Sequence, residues 1–107
     1  MKRISMFLIG LMILLSSCYK DDATFTVKVS GYSDQYTISY ENDNGEWIDN
    51  ITVENGHSIY FQKTSSWMLN IEVYANDSIF LTVLERGDLY DTFKGKDSLI
   101  VYTKIKH

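Results

Sequence analysis

Side chains able to do covalent or acid–base chemistry are few in this chain of 107 residues. It carries two histidines, His57 and His107, and one cysteine, Cys18. A Ser-His-Asp arrangement would have only His57 to use as its base, beside the turn residues Asn55-Gly56, and no Gly-x-Ser-x-Gly elbow is present to hold the serine. His57 reads instead as a surface histidine at a strand start. His107 is the last residue of the sequence and is expected to lack fixed structure. A glycosidase-type pair of carboxylates is not singled out either, because acids are spread over every turn. Glu41, Asp43 and Asn44 could offer oxygens to calcium, but no Asp-x-Asp-x-Asp-Gly run with a closing Glu follows, and a hairpin turn explains them. Arg86-Gly87-Asp88 spells a cell-adhesion tripeptide, yet three residues recur by chance and a glycine turn accounts for it. These residues predict no enzyme, no metal and no cofactor.

The chemistry that does stand out is the thiol of Cys18, because of what precedes it. Lys2 and Arg3 open the chain, residues 4–15 are apolar except for Ser5 and Gly10, and Ser16-Ser17 lead into the cysteine. Positive start, apolar run and small residues are the three parts of a secretory signal. The run is too short for a membrane-spanning helix of roughly 20 residues, which weighs against an uncleaved anchor. Leu15-Ser16-Ser17-Cys18 resembles the bacterial lipobox, and that resemblance implies cleavage before Cys18 and acylation of its thiol and new amino terminus. Each buried methylene contributes about 0.8 kcal/mol, and two or three chains hold a small domain firmly where one does not. Lys20-Asp21-Asp22 then resembles the export signal of Bacteroidota surface lipoproteins, against the plainer reading of a charged tether. The implied location is the outer membrane, lipid-anchored and facing the exterior, with a periplasm-facing domain as the alternative.

Without residues 1–17 the chain keeps 90 of its 107 residues, enough for one domain. Eight basic side chains then face fourteen acidic ones, a net charge near −6 that disfavours a nucleic-acid partner. With Cys18 lipidated no thiol remains for a disulfide, so packing alone must stabilise the domain. There is no proline, so turns must rest on Gly, Asn and Asp.

Hydrophobicity after Asp22 has a period of two. Phe25, Val27 and Val29 alternate with polar residues, as do Tyr36, Ile38 and Tyr40; Ile59 and Phe61; Trp67, Leu69, Ile71 and Val73; Ile79, Leu81 and Val83; and Leu99, Val101, Thr103 and Ile105. Successive side chains of a strand point to opposite faces, so these runs predict half-buried strands. Seven are predicted, at residues 24–30, 35–41, 47–53, 58–63, 67–75, 78–85 and 99–105, with 88–93 as a short edge strand or loop. Asn42-Asp43-Asn44-Gly45 and Glu54-Asn55-Gly56 should each close a hairpin, and Gly31–Asp34, Ala75-Asn76-Asp77-Ser78, Arg86-Gly87-Asp88 and Lys94-Gly95-Lys96-Asp97 should separate the others. One apolar face per strand is best buried by two antiparallel sheets packed face to face. The expected organisation is a signal peptide at 1–17, a lipidated cysteine and acidic tether at 18–22, and a β-sandwich at 23–107.

Seven short strands in this length resemble an immunoglobulin-like sandwich without its disulfide. Val27-Lys28-Val29-Ser30-Gly31, Tyr40-Glu41-Asn42-Asp43-Asn44-Gly45 and the segment from Ile71 to Asp77 also resemble small secreted lipoproteins related to the mycobacterial membrane protein small family. That resemblance implies a β-sandwich with an accessory role beside an envelope transporter. The chain departs from it in having a lipobox, no transmembrane helix and a longer segment at 85–97.

Aromatic residues supply the remaining candidates. Trp67 alternates with core residues and should be buried, while Trp47, Tyr32, Tyr60, Tyr74 and Tyr102 fall on faces expected to point outward. Outward aromatic rings would suit contact with a protein or glycan partner, and otherwise pack on their neighbours across the sheet. Asp77-Ser78-Ile79 and Asp97-Ser98-Leu99 resemble the O-glycosylation pattern of Bacteroidota envelope proteins, with Ser78 and Ser98 as acceptors; turn chemistry is the alternative. Asn50-Ile51-Thr52 and Asn76-Asp77-Ser78 match the eukaryotic N-glycan sequon, which carries no meaning in a bacterial lipoprotein. The sequence therefore predicts a non-catalytic, membrane-anchored binding module, or else a structural or accessory subunit of an envelope transport or assembly complex.

Overall fold

The computed structural model describes residues 23–107; the expected signal segment at 1–17, Cys18 and the expected tether at Lys20-Asp21-Asp22 lie outside the described residues. Six strands form: β1 (Ala23–Gly31), β2 (Gln35–Glu41), β3 (Trp47–Glu54), β4 (His57–Lys63), β5 (Trp67–Glu85) and β6 (Asp88–Ile105). All pair antiparallel in one sheet, in the order β3-β2-β5-β1-β4 with β6 on the other edge of β5. The all-β antiparallel expectation holds. The strand count differs, because residues 67–75 and 78–85 are one strand, and residues 88–93 and 99–105 are another.

The registers explain the order. β1 lies against the second half of β5, from Phe25↔Glu85 to Gly31↔Ile79. β2 lies against the first half, from Thr37↔Tyr74 to Tyr40↔Ile71. The two strands therefore run head to tail along the same edge of β5. β3 and β4 follow them back on the outside, with Glu54 opposite Gln35 and His57 opposite Val29. The predicted hairpin at Glu54-Asn55-Gly56 is thus corrected: the chain bends there and keeps its direction. Asn55 secures the bend by donating its backbone N–H to the Asp34 carbonyl (3.0 Å) and its side-chain amide to the Gly31 carbonyl (3.0 Å). These acceptors lie on either side of the break between β1 and β2, so the two breaks are held side by side.

Ala75-Asn76-Asp77-Ser78 and Lys94-Gly95-Lys96-Asp97 are likewise not reversals. Between Tyr74↔Ser98 and Ser78↔Lys96 the β5–β6 register shifts, and residues 75–77 oppose the single residue Asp97, which has φ of 66°. A bulge of this kind bends a strand and increases its twist. All four chain passes are interrupted at one level, making a crease across the sheet. Gly31 is needed there, since its φ is 151° and a Cβ would run into the Ser78 carbonyl oxygen. The true reversals are elsewhere. Asn42 closes β2–β3 by accepting the N–H groups of Asn44 (2.9 Å) and Glu46 (3.0 Å) on its side-chain oxygen. Arg86-Gly87, both at positive φ, close β5–β6 as a two-residue turn whose twist matches its strands.

The crease lets the sheet curl so that one half covers the other. Phe25, Val27, Val29, Ile59, Phe61, Ile79, Leu81 and Val83 supply one side, and Tyr36, Ile38, Leu69, Ile71, Val73, Val101 and Ile105 the other, in one continuous core. The halves meet at Trp67, which is buried as its alternation predicts. Its ring lies 4.8 Å from Phe61 and 5.4 Å from Phe25, although neither residue is its strand neighbour. Tyr40 adds an edge contact to Phe61 at 6.3 Å, and the His107 ring lies edge-on to Phe25 at 6.0 Å. Asp43, at the β2–β3 tip, reaches over to β4. It accepts the Gln62 backbone N–H (2.8 Å) and pairs with Lys63 (2.9 Å), whose ammonium stands 5.0 Å above the Trp67 ring. Gly31→Ala should lower the unfolding free energy by at least about 2 kcal/mol, read from the urea midpoint. An unchanged midpoint would show that the crease can form without glycine.

Candidate functional site

The inward face of the sheet is consumed by the core, so any site lies on the outward face, at an edge or in the crease. On the outward face of the half built from β3, β2, the first part of β5 and the last part of β6, the register sets out the side chains. Tyr102 opposes Asn70, Ile100 opposes Glu72, Ser98 opposes Tyr74 and Lys104 opposes Met68. Met68 and Tyr102, like Tyr74 and Ile100, are therefore diagonal neighbours on one face. Trp47 opposes Glu41, and continuing the β2–β5 register brings Glu41 to Asn70 and so to the row of Tyr102. That places Trp47 and Tyr102 three strands apart, about 14 Å. Ile100 is 62 % exposed, Tyr102 68 %, Trp47 43 % and Met68 41 %. Period-two reading found the two aromatic members of this surface. It missed Ile100 and Met68, because an aliphatic residue on the polar side of a run carries no sign of whether a neighbour covers it.

The other predicted aromatics are not brought to this surface. Tyr60 stands on the outward face of the opposite half, in a row with Thr26, Leu84 and Leu89. Tyr32 sits at the crease, edge-on to Phe80 at 5.8 Å. All five candidate rings are exposed, as their alternation predicts, but they make three surfaces rather than one.

Tyr74 has a particular setting. Its hydroxyl donates to Glu72 Oε1 at 3.3 Å, two residues away on the same face. The phenol is raised above its ordinary range, first by the neighbours that strip water from it, then by the Glu72 charge and by this hydrogen bond, which holds the proton. Beside Tyr74 the crease opens into a groove of about 750 Å³, lined among others by Asp34, Gln35, Thr37, Thr52 and Asn76.

The remaining candidates are dispersed. His57 borders an open groove of about 450 Å³ at the β3–β4 bend, whose lining carries one hydroxyl, that of Thr52. Among the described residues no group of three His, Cys, Asp or Glu side chains comes together, and Asp43, the central calcium candidate, is engaged by Lys63 and Gln62. Arg86-Gly87-Asp88 lies exposed at the β5–β6 tip, in the turn already described. Ser78 and Ser98 both fall at the crease, Ser98 exposed and Ser78 half-buried with its N–H donated to Asp77 Oδ1 at 2.7 Å. No helix among the described residues is long and apolar enough to cross a membrane. No family model matches the chain, and no curated protein matches it either.

The Tyr74 setting has a measurable consequence. In a spectrophotometric titration of the tyrosinates, Tyr74 should ionise later than a tyrosine in water. Glu72→Gln should bring it partway down, since the loss of water around the ring persists. A Tyr74 that titrates identically with and without the Glu72 charge would contradict this arrangement.

Proposed function

We propose that this chain is a lipid-anchored, non-catalytic binding domain of the bacterial cell envelope, exported by its leader and held in the outer membrane at Cys18. Leu15-Ser16-Ser17-Cys18 supports the anchor, and Lys20-Asp21-Asp22 supports exposure to the exterior. Part of the same reading is that the two halves of the curled sheet serve as the layers of a small immunoglobulin-like sandwich. The likeness to lipoproteins related to the mycobacterial membrane protein small family belongs to this proposal too.

The observation that carries the binding role is the outward face bearing Trp47, Met68, Ile100 and Tyr102. Large apolar side chains set in a polar surround are the composition of a protein contact surface. Here the surround is Glu41, Asn70, Glu72 and Lys104. Aliphatic Met68 and Ile100 favour a protein over a glycan at this face, since sugars are taken up on flat aromatic rings. The second reading, an accessory subunit of an envelope complex, is favoured by the edge of β6, which pairs with β5 alone among the described strands. Ile100 and Tyr102 lie on that edge strand, so one partner could use both its backbone and its side chains.

The test has two parts. Labelled fatty acid should enter the native protein and not Cys18→Ala, and external protease on intact cells should cut the native protein but spare the triple alanine variant at Lys20, Asp21 and Asp22. Lipidated but protected native protein would move the domain to the periplasmic side and put the accessory-subunit reading first. A photo-crosslinking residue at Tyr102 should trap a protein partner in intact cells, and Ile100→Lys should cut that yield by at least about tenfold. No crosslinked species would remove the docking face.

A further inference from the structure

We propose that the groove at the crease is a second, separate site, and that it takes a neutral carbohydrate. It arises because β1 and β2 leave β5 uncovered between them. The β1 ladder ends at Gly31↔Ile79 and the β2 ladder starts at Thr37↔Tyr74. In the gap, Tyr32 reaches only the Ser78 carbonyl, at 3.4 Å, so the backbone at 75–77 has no partner strand on that side.

The lining decides the class of ligand. Gln35 and Asn76 bring amides, Thr37 and Thr52 hydroxyls, Asp34 a carboxylate and Tyr74 an aromatic ring. Among the described residues the side chains of Asp34, Gln35, Thr37, Thr52 and Asn76 make no hydrogen bond with the protein, so all are available. Tyr74, 39 % exposed, has its ring steadied by the bond to Glu72. No lysine, arginine or histidine lines the groove, which disfavours a phosphate or carboxylate ligand. The lining is also too polar for an apolar molecule. A peptide adding itself as a strand is disfavoured because the uncovered run is only residues 75–77, closed at both ends by β1 and β2. A sugar ring needs what is present: a flat surface for its C–H face and a ring of acceptors and donors for its hydroxyls. The site adjoins the protein-docking face at Tyr74, a diagonal neighbour of Ile100, and shares none of its four residues.

The test is a nitrogen-15 NMR titration of the full chain in phosphocholine micelles with maltohexaose, cellohexaose, laminarihexaose and chitohexaose, and with tetragalacturonate as the anionic counterpart. At least one neutral oligosaccharide should shift the amides of Gln35, Thr37, Tyr74 and Asn76 at or below about 10 mM. Tyr74→Ala should weaken that binding by at least about tenfold, and Thr52→Arg, which fills the groove from the exposed side of β3, should abolish it. Ile100→Lys, which disables the docking face, should leave it unchanged, so the two proposals fail separately. The inference is overturned if none of the four neutral probes shifts those amides, if tetragalacturonate binds equally well, or if binding survives Thr52→Arg.

Discussion

A single sheet has no second layer to bury its apolar face against, so it must bury that face against itself. The contact that achieves this is Phe61 and Phe25 on Trp67, at 4.8 and 5.4 Å, made between residues from opposite halves of the sheet that no strand pairing sets side by side. Each such side chain taken out of water contributes about 1.5–3 kcal/mol, and aromatic pairing adds to it. The short link at residues 64–66 is what makes the contact possible, because it carries the chain from the end of β4 in one half to the start of β5 in the other. Asp43 strengthens the same closure from the β2–β3 tip, converting a backbone N–H of β4 and the Lys63 charge into a latch across the seam.

Closure at one end requires bending in the middle, and the bending has chemical consequences. A pleated sheet cannot fold across its strands unless each strand is interrupted at the same level. Gly31–Asp34, Asn55-Gly56, residues 75–77 and Asp97 are those interruptions, and the hydrogen bonds of Asn55 to both sides of the first break keep them aligned. Interrupted strands leave backbone and side chains unpaired. The crease is therefore both the bend of the fold and a surface with free hydrogen-bonding groups. The core occupies the inner face, so the crease, the outward face and the edges are the surfaces left for any recognition.

This also explains what was legible in the sequence. The faces of β1, β2, β4 and β5 followed from alternation, because burial on one side of a strand writes itself into every second residue. Trp67 was assigned to the core on the same ground. The paths of the strands were not legible. Asn44-Gly45 and Asn55-Gly56 look alike as sequence, yet one reverses the chain and the other only bends it. Glycine supplies the positive φ in either case, and the outcome is decided by the partners available: Asn42 for the first, Gly31 and Asp34 for the second. For the same reason Asn76-Asp77 reads as a turn between two strands and is a bulge within one. Ile100 and Met68 were missed because exposure of an aliphatic residue depends on whether another layer arrives, and local pattern carries no information about that.

Leaving β6 uncovered is a risk that the chain contains by other means. An edge strand of eighteen residues offers the N–H and C=O groups of alternate residues to any passing strand. Asp88, Asp91, Lys94, Lys96, Asp97 and Lys104 place charge along its length, and the break at Gly95–Asp97 prevents it from presenting one flat ladder. The opposite edge is divided in the same way at Asn55-Gly56. The longest stretch without a charged side chain runs from Ser98 to Thr103, and it is the stretch that carries Ile100 and Tyr102. Protection against random pairing is thus relaxed at the one part of the edge that adjoins the exposed apolar face. A strand that needed only to avoid aggregation would be charged there as well, so the uncharged part of the edge and the proposed docking face coincide.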